Sequence, residues 1–448
     1  MKNDTTLPSG FTRRDFVKTS ATAALGVSAG LMARPNYAYA AGSDTIRVGL
    51  VGCGGRGTGA ARDAVTSTSG VELVAMGDLF EDRMEQSKGQ LKENIGEAFK
   101  VTDDATFIGF DAYQNVIDSD VDLVILATPP GFRPIHVAAA VEAGKHLFIE
   151  KPVAVDTAGI RSIMESAKKA EAKNLAIVAG TQRRHDPKYI EAMKRIHDGQ
   201  MGEVVAGQVY WNQGGLWNRE RLAGMSDAEW QIRNWLYFTW LSGDHIVEQH
   251  VHNIDVANWA LQAHPVQANG VGGRQVRVDP SYGHIFDHFG VEIEYPSGAR
   301  ILSMCRQQDG TARYVGEYFI GTKGTSDGST YIRGENAWRH EAEEGEAVNP
   351  YVQEHTDLIA SIREGSPLNE GQRIAESVLT AIMAREAAYT GQVVTWEDIL
   401  NADLDLVPKE FAFGPMPMPP VPEPGVTTLN RSVVPKEGTE TEAVGSAN

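Results

Sequence analysis

An apolar run that ends in regularly spaced glycines constrains this chain more than any other feature: Val48-Gly49-Leu50-Val51 feeds straight into Gly52-Cys53-Gly54-Gly55-Arg56-Gly57. The glycines fall as G-x-G-x-x-G between a predicted strand and a predicted helix. Gly52 permits the tight turn, Gly54 lets backbone approach a pyrophosphate, and Gly57 lets the helix pack close to the strand; Gly55 and Arg56 complete the loop, with the helix N–H groups turned towards phosphate. A second β run, Val71-Glu72-Leu73-Val74-Ala75-Met76, leads to Asp78, about twenty residues past the last glycine, where a carboxylate can accept a ribose 2′-hydroxyl. Together these features predict a bound dinucleotide and favour NAD(H) over NADP(H). A glycine turn that merely links core elements is the plainer alternative, and the pair of features disfavours it.

The N-terminus carries an address. Thr12-Arg13-Arg14-Asp15-Phe16-Val17-Lys18 precedes a short apolar stretch, Ala21 to Met32, and the A-x-A pattern Ala38-Tyr39-Ala40. This predicts a twin-arginine export signal over residues 1–40, a partner in the export machinery, a mature chain starting near Ala41 and a periplasmic location. The apolar stretch is too short and small-sided to span a bilayer, so no stable membrane anchor is expected. With 448 residues, of which 42% are hydrophobic, the chain can bury two domain cores. A net charge of −18 argues against nucleic acid or anionic lipid as partner. Cys53 and Cys305 are the only cysteines, so a disulfide framework is not expected despite export.

From Thr45 the pattern alternates: strand 46–51, helix 57–67, strand 71–76, helix 80–95, strand 121–127, helix 134–143, then Leu147-Phe148-Ile149 and a further helix and strand near 157–172 and 175–178. That alternation predicts an α/β fold whose N-terminal domain is a doubly wound parallel sheet, the Rossmann arrangement. Later runs, Val204 to Tyr210, Gly290 to Tyr295, Ala299 to Met304 and Tyr314 to Ile320, predict a C-terminal α/β domain with an open, mostly antiparallel sheet. Helices around 351–364 and 371–390 close the globule. The expected boundaries are 41–153 for the dinucleotide domain, 154–412 for the substrate domain with its late helices packing back on the first, and 413–448 for a proline-rich, acidic tail. That tail is expected to be extended or disordered, or to lie on a neighbouring subunit. An open sheet face also predicts a homo-oligomer.

The chemistry should sit where the parallel strands end. Thr128 and Pro129 close one strand at its carboxyl end, beside the expected ribose and nicotinamide, and the next strand delivers Glu150-Lys151-Pro152. A lysine placed there can exchange a proton with a hydroxyl, the plainer reading being an ion pair with Glu150. The stretch from His245 to Leu261, read as one helix, puts His245, Glu248, His252, Asp255 and Trp259 on one side. Glu248 and His252, four apart, would pair as carboxylate and imidazole. A metal held by these histidines is disfavoured because His250 and His252 point apart on a helix, so no metal is expected; satisfied core histidines are the plainer alternative. Five tryptophans, Trp211, Trp217, Trp230, Trp235 and Trp240, could stack on a sugar, although core packing explains them equally well.

The glycine fingerprint, Glu150-Lys151-Pro152, Gly180-Thr181-Gln182-Arg183-Arg184-His185-Asp186-Pro187 and the His252/Asp255/Trp259 stretch together resemble the glucose-fructose oxidoreductase, inositol dehydrogenase and rhizopine catabolism (Gfo/Idh/MocA) family over roughly residues 45 to 395. The resemblance implies oxidation or reduction of sugar and cyclitol hydroxyls, with Lys151 as the motif lysine and His252 as the catalytic histidine. Three departures stand out: Glu248 replaces the usual aspartate, His250 a small residue, and His185 a phenylalanine. Arg183, Arg184, His185, His250 and Asp255 are the candidates for substrate contact, and a carbohydrate or polyol is the expected partner. Free dinucleotide should be scarce outside the cytoplasm, so the cofactor is expected to be retained and recycled. An alternative is a redox-neutral glycosidase or lyase acting through a transient keto-sugar, with Glu248 or His250 as base; a binding protein without turnover is a third.

Overall fold

A computed structural model describes residues 45–341 and 348–432; the export signal, its Ala38-Tyr39-Ala40 site and tail residues 433–448 lie outside the described residues. The alternation becomes β1 (Ile46–Val51), α1 (Gly55–Ser67), β2 (Val71–Asp78), α2 (Glu81–Ile95), β3 (Thr106–Ile108), α3 (Ala112–Asp118), β4 (Leu123–Leu126), α4 (Arg133–Glu142), β5 (His146–Ile149), α5 (Thr157–Ala172) and β6 (Ile177–Ala179). The six strands form one sheet in the order β3-β2-β1-β4-β5-β6, parallel throughout. Strand β4 is apolar at every position and its neighbours nearly so because helices cover both faces: Val48, Leu50, Leu123, Ile125 and Phe148 pack on one side, Val51, Val124, Leu126, Leu147 and Ile149 on the other. The sheet therefore runs past residue 153, the boundary expected from the sequence. Once β5 is laid down, α5 must return the chain so that β6 can pair beside it, and only then does the chain leave the layer.

The second domain follows with α6 (Pro187–His197), β7 (Val204–Gln213), α7 (Asp227–Arg233), α8 (Thr239–Ser242), α9 (His245–Glu248), α10 (Val251–Leu261), β8 (Gln267–Gly273), β9 (His288–Glu294), β10 (Arg300–Gln307), β11 (Tyr314–Gly321), β12 (Gly324–Ser326), β13 (Tyr331–Gly334) and β14 (Trp338–Arg339). Then come α11 (Pro350–Arg363), α12 (Gly371–Thr390), β15 (Val394–Thr395), α13 (Trp396–Asn401), β16 (Leu404–Asp405) and β17 (Arg431–Ser432). Nine strands make the second sheet, ordered β14-β13-β12-β11-β7-β10-β9-β8-β15; β7 and β10 run parallel and every other neighbouring pair is antiparallel. Helix α12 is buried almost all round, between this sheet and α5, as its run of Ile374, Val378, Leu379, Ile382 and Met383 requires. Helix α11 turns back onto the first domain, where Leu358, Ile359 and Ile362 join Ala60 and Ala64 of α1.

Two expectations change. The helix expected from His245 to Leu261 is broken at Gln249-His250, where the Gln249 Oε1 accepts hydrogen bonds from Gln213 (2.8 Å) and Gln307 (2.5 Å) and His250 Nε2 meets Ser303 Oγ (2.9 Å). Residues 413–432, expected as a free tail or on another subunit, pack on their own chain. The Gly425 N–H donates to the Thr390 carbonyl at 2.8 Å, β17 pairs with β16, and Arg431 reaches Glu386 at 2.5 and 2.9 Å. Glu386 and its neighbour Arg385 are fully buried, so each charge depends on the other. Substituting Glu386→Gln should cost about 3 kcal/mol of stability, read as a lower urea midpoint; an unchanged midpoint would contradict this account of how residues 413–432 are held.

Candidate active site

The turn after β1 is tight by construction. Gly52 has φ +96°, a left-handed conformation, and a Cβ on Gly57 would stand 1.8 Å from the Gly52 carbonyl oxygen. Helix α1 starts with Gly54 as its N-cap and no side-chain cap, so its amide end is open to an anion. It faces a cavity of about 400 Å³ whose wall includes Gly52, Gly54, Gly55, Arg56, Gly57, Asp78, Thr128 and Pro129. Around Gly54 there is open space where a Cβ would project. The Asp78 carboxylate is fixed at the end of β2 by the N–H groups of Cys53 (2.6 Å) and Phe80 (2.8 Å). Burial raises the Asp78 pKa against the pull of those donors. An uncapped helix end, open room at a glycine and an acid at the end of the second strand are the groups that a dinucleotide needs.

Lys151 follows β5 at the carboxyl edge of the parallel sheet and reaches across to the second domain. Its Nζ donates to the Glu248 carbonyl oxygen (2.6 Å) and to the Glu248 carboxylate (3.1 Å), both residues being mostly buried. His252 lies beside this pair, 8% exposed, with its ring stacked on Trp211 at 5.7 Å between centroids. Burial, then the charges of Lys151 and Arg183, push the imidazole pKa well below its usual value despite Asp255. His252 is thus held in its neutral form. The carboxylate–imidazole pair expected between Glu248 and His252 does not form: with the helix broken between them, four-residue spacing no longer aligns the two, and Glu248 turns to Lys151 instead.

Several residues expected at substrate or cofactor are engaged with one another. Glu150 is buried and takes an ion pair from Arg56, which also reaches Glu354 at 3.2 Å. Arg183 pairs with the buried Glu317, which Asn253 also contacts at 2.6 Å. Arg184 clamps Asp255 at 2.8 and 3.0 Å, Arg373 joins at 3.0 Å, and the Arg184 guanidinium sits 4.4 Å from the Trp259 ring centroid. Burial works against the Asp255 carboxylate, but the two guanidiniums hold its pKa well below the usual range. His250 is wholly buried against Ser303, and burial lowers its pKa to about 3. His185 lies between Asp357 (2.6 Å) and Glu370 (3.8 Å). The sequence pattern marks these residues as polar and grouped, but a buried charge must find a partner, and these partners come from α11, α12 and β11. His245, His250 and His252 face Asp244, Ser303 and Trp211 respectively, so they do not converge on one point.

The tryptophans divide by role. Trp230 and Trp240 are core residues, Trp211 supports His252, and Trp217 and Trp235 line the dinucleotide cavity with Phe80, Arg83 and Arg219. Their density between β7 and the histidine helices was the available signal; which ring meets which partner depends on the loop path.

Two outcomes follow from this geometry. In Gly57→Ala the new methyl meets backbone, so the variant should lose about 3 kcal/mol and its NADH binding together; wild-type melting and binding would contradict the turn geometry. For His185, burial disfavours the cation, yet Asp357 and Glu370 raise its pKa to about 9 from the 6.5 expected when unfolded. Its contribution to stability is then complete below pH 6.5 and lost as pH rises through about 9. His185→Gln should be less stable than the native chain by on the order of 3 kcal/mol near neutral pH, the gap closing by about pH 10; parallel melting curves across that range would refute the assignment.

Comparison with known proteins agrees with this geometry. Residues 46–178 match the family model GFO_IDH_MocA, described as "Oxidoreductase family, NAD-binding Rossmann fold". The scyllo-inositol 2-dehydrogenase (NAD(+)) of Bacillus subtilis is 28% identical over 258 residues, covering 57% of this chain and 65% of that protein, just under two thirds of its length. Inositol 2-dehydrogenase 3 of Saccharopolyspora erythraea is 27% identical over 365 residues, covering 78% of this chain and 95% of that protein. The crystal structure of scyllo-inositol dehydrogenase from Lactobacillus casei with bound NAD(H) and scyllo-inositol superposes with a TM-score of 0.59 at 18% identity, over 78% of this chain and 99% of that one, a likeness of fold. By its parallel sheet, its glycine turn and the family match, the stretch 46–178 is similar to the NAD-binding Rossmann domain of the Gfo/Idh/MocA oxidoreductases.

Proposed function

We propose that the protein is an exported NAD-dependent oxidoreductase that moves a hydride between nicotinamide and a hydroxyl-bearing carbon of a sugar, glycoside or cyclitol. One observation carries the reading: a lysine ammonium is fixed by Glu248 beside a His252 imidazole that has been stripped of its charge, at the carboxyl edge of the dinucleotide-binding sheet. Gly52, Gly54 and Gly57 would hold the pyrophosphate, Asp78 the ribose, and Thr128 and Pro129 the nicotinamide side. When bound, NAD supplies the hydride acceptor. Neutral His252 takes the hydroxyl proton, while Lys151 donates a hydrogen bond to the substrate oxygen and holds it in place. The relatives named as inositol dehydrogenases favour a cyclitol or a sugar of similar hydroxyl density as the substrate.

Export is supported by Arg13-Arg14 and the A-x-A pattern, and retention of the cofactor follows from export. The open face of the second sheet, with Leu302 and Tyr314 exposed, supports self-association. The redox-neutral alternative needs a free base beside the substrate. His250 is buried on Ser303 and Glu248 is committed to Lys151, so neither stands ready for it.

The test is purified protein with NAD and a panel of inositols, sugars and disaccharides, followed at 340 nm and by product analysis. Accumulating NADH with a keto product supports the dehydrogenase; cleavage without NADH replaces it with the redox-neutral cycle. Lys151→Met should lower kcat/KM by about a hundredfold or more while NADH still binds. Because the His252 pKa lies well below 6.5, activity should show no loss with a midpoint near that value as pH falls; a limb there that vanishes in His252→Asn would contradict the neutral imidazole. Replacing Arg13 and Arg14 with lysines should leave the protein in the cytoplasm, and unaltered fractionation would remove the export reading.

A further inference from the structure

One wall of the dinucleotide cavity does not belong to the dinucleotide domain. Trp217, Arg219 and Trp235 stand on a segment of the second domain that leaves β7 and runs through α7, yet they line the same cavity as Gly54, Asp78 and Arg83. This arm is tied down at its far end. Arg233 forms a two-pronged ion pair with Asp82 at 3.1 and 3.2 Å, and its guanidinium carbon lies 3.8 Å from the Phe80 ring centroid. Phe80 and Asp82 flank the start of α2, directly after Asp78. A second strap backs the first: Phe413 stacks on Phe80 (6.0 Å) and meets Phe110 (5.1 Å), the Ala228 N–H donates to the Gly414 carbonyl (3.1 Å), and the Gln231 side chain donates to the Met416 carbonyl (2.8 Å).

We propose that residues 214–235, buttressed by residues 411–416, form a roof over the adenosine half of the dinucleotide cleft, and that the Arg233–Asp82–Phe80 clasp sets how fast the cofactor leaves. The inference rests on the reading above that the cleft holds a dinucleotide. Arg219 adds to it by position: it lines the same cavity as Arg83, giving the roof side of the cleft a cationic wall that the phosphates of a dinucleotide would face. Trp217, 41% exposed on the cavity wall, offers a flat ring to an adenine. A roof carried by another domain must swing away before adenosine can leave, so release slows while contacts at the reacting carbon stay untouched. For an exported protein this supplies the retention that export demands.

The experiment loads the full chain with NADH and follows the loss of bound-NADH fluorescence after mixing with excess NAD. Arg233→Ala and Asp82→Ala should each raise the release rate by about tenfold, and the double variant should go no further because both remove one clasp. Asp82 is largely exposed, so its variant tests the clasp without disturbing the core. Trp217→Ala should raise the rate by itself and lower the dinucleotide content of protein purified without added cofactor. Wild-type release rates in both clasp variants, with NADH bound normally, overturn the roof and leave the oxidoreductase reading intact. Failure of the wild-type chain to bind NADH overturns both.

Discussion

The contact between Lys151 and Glu248 ties the two domains into one site. An ammonium this far from water must be paired, and here a carboxylate and a carbonyl of the same residue engage two of its three donors. Glu248 can serve because α9 begins where it does. Asp244 caps that helix from a left-handed backbone (φ +71°), and its buried carboxylate accepts from His245 N (2.5 Å), His245 Nδ1 (2.8 Å), Phe286 N (2.8 Å) and Tyr389 OH (2.5 Å). The strain of one residue is offset by four hydrogen bonds, two within the helix start and two that tie it to the segment before β9 and to α12. Strand β5 fixes the lysine from one side, and this knot fixes its partner from the other.

Burial first, and then the charges around the cleft, leave His252 neutral. Had Glu248 paired with it, the imidazolium would be favoured; with Glu248 taken by Lys151, the imidazole feels Lys151, Arg183 and Arg56 as cations and only Asp255 as a counterweight. Asp255 is itself consumed by Arg184, Arg373 and Ser377. The arginines and acids that read as substrate contacts in the sequence are thus a scaffold of paired charges beneath the reactive groups. Their partners lie on α11, α12 and β11, so the late helices hold the shape of the site as well as closing the globule.

Much of this was legible because it is local. The glycine spacing, the apolar strands and the Asp78 position each depend on a few consecutive residues whose conformation has one good solution, and the structure follows them closely from β1 through α5. Strand β8, Gln-Ala-Asn-Gly-Val-Gly-Gly, escaped notice because glycines carry no β signal; what makes it a strand is β9 beside it. The break at Gln249-His250 escaped for a similar reason, since Gln213, Gln307 and Ser303 pull the chain out of helix from a sheet whose strands lie far away in sequence.

By itself the sequence determined the parallel α/β layer, the phosphate turn and the delivery of Lys151 to the sheet's carboxyl edge, because turn sterics and hydrophobic periodicity act over short stretches. Only the tertiary structure decided which acid meets which base. Burial makes every charge choose a partner, and that choice depends on distances between elements tens to hundreds of residues apart. It gave Glu248 to Lys151 rather than to His252, gave Asp255 to two arginines, laid residues 413–432 along their own chain, and brought two tryptophans of the second domain over a cavity that begins in the first.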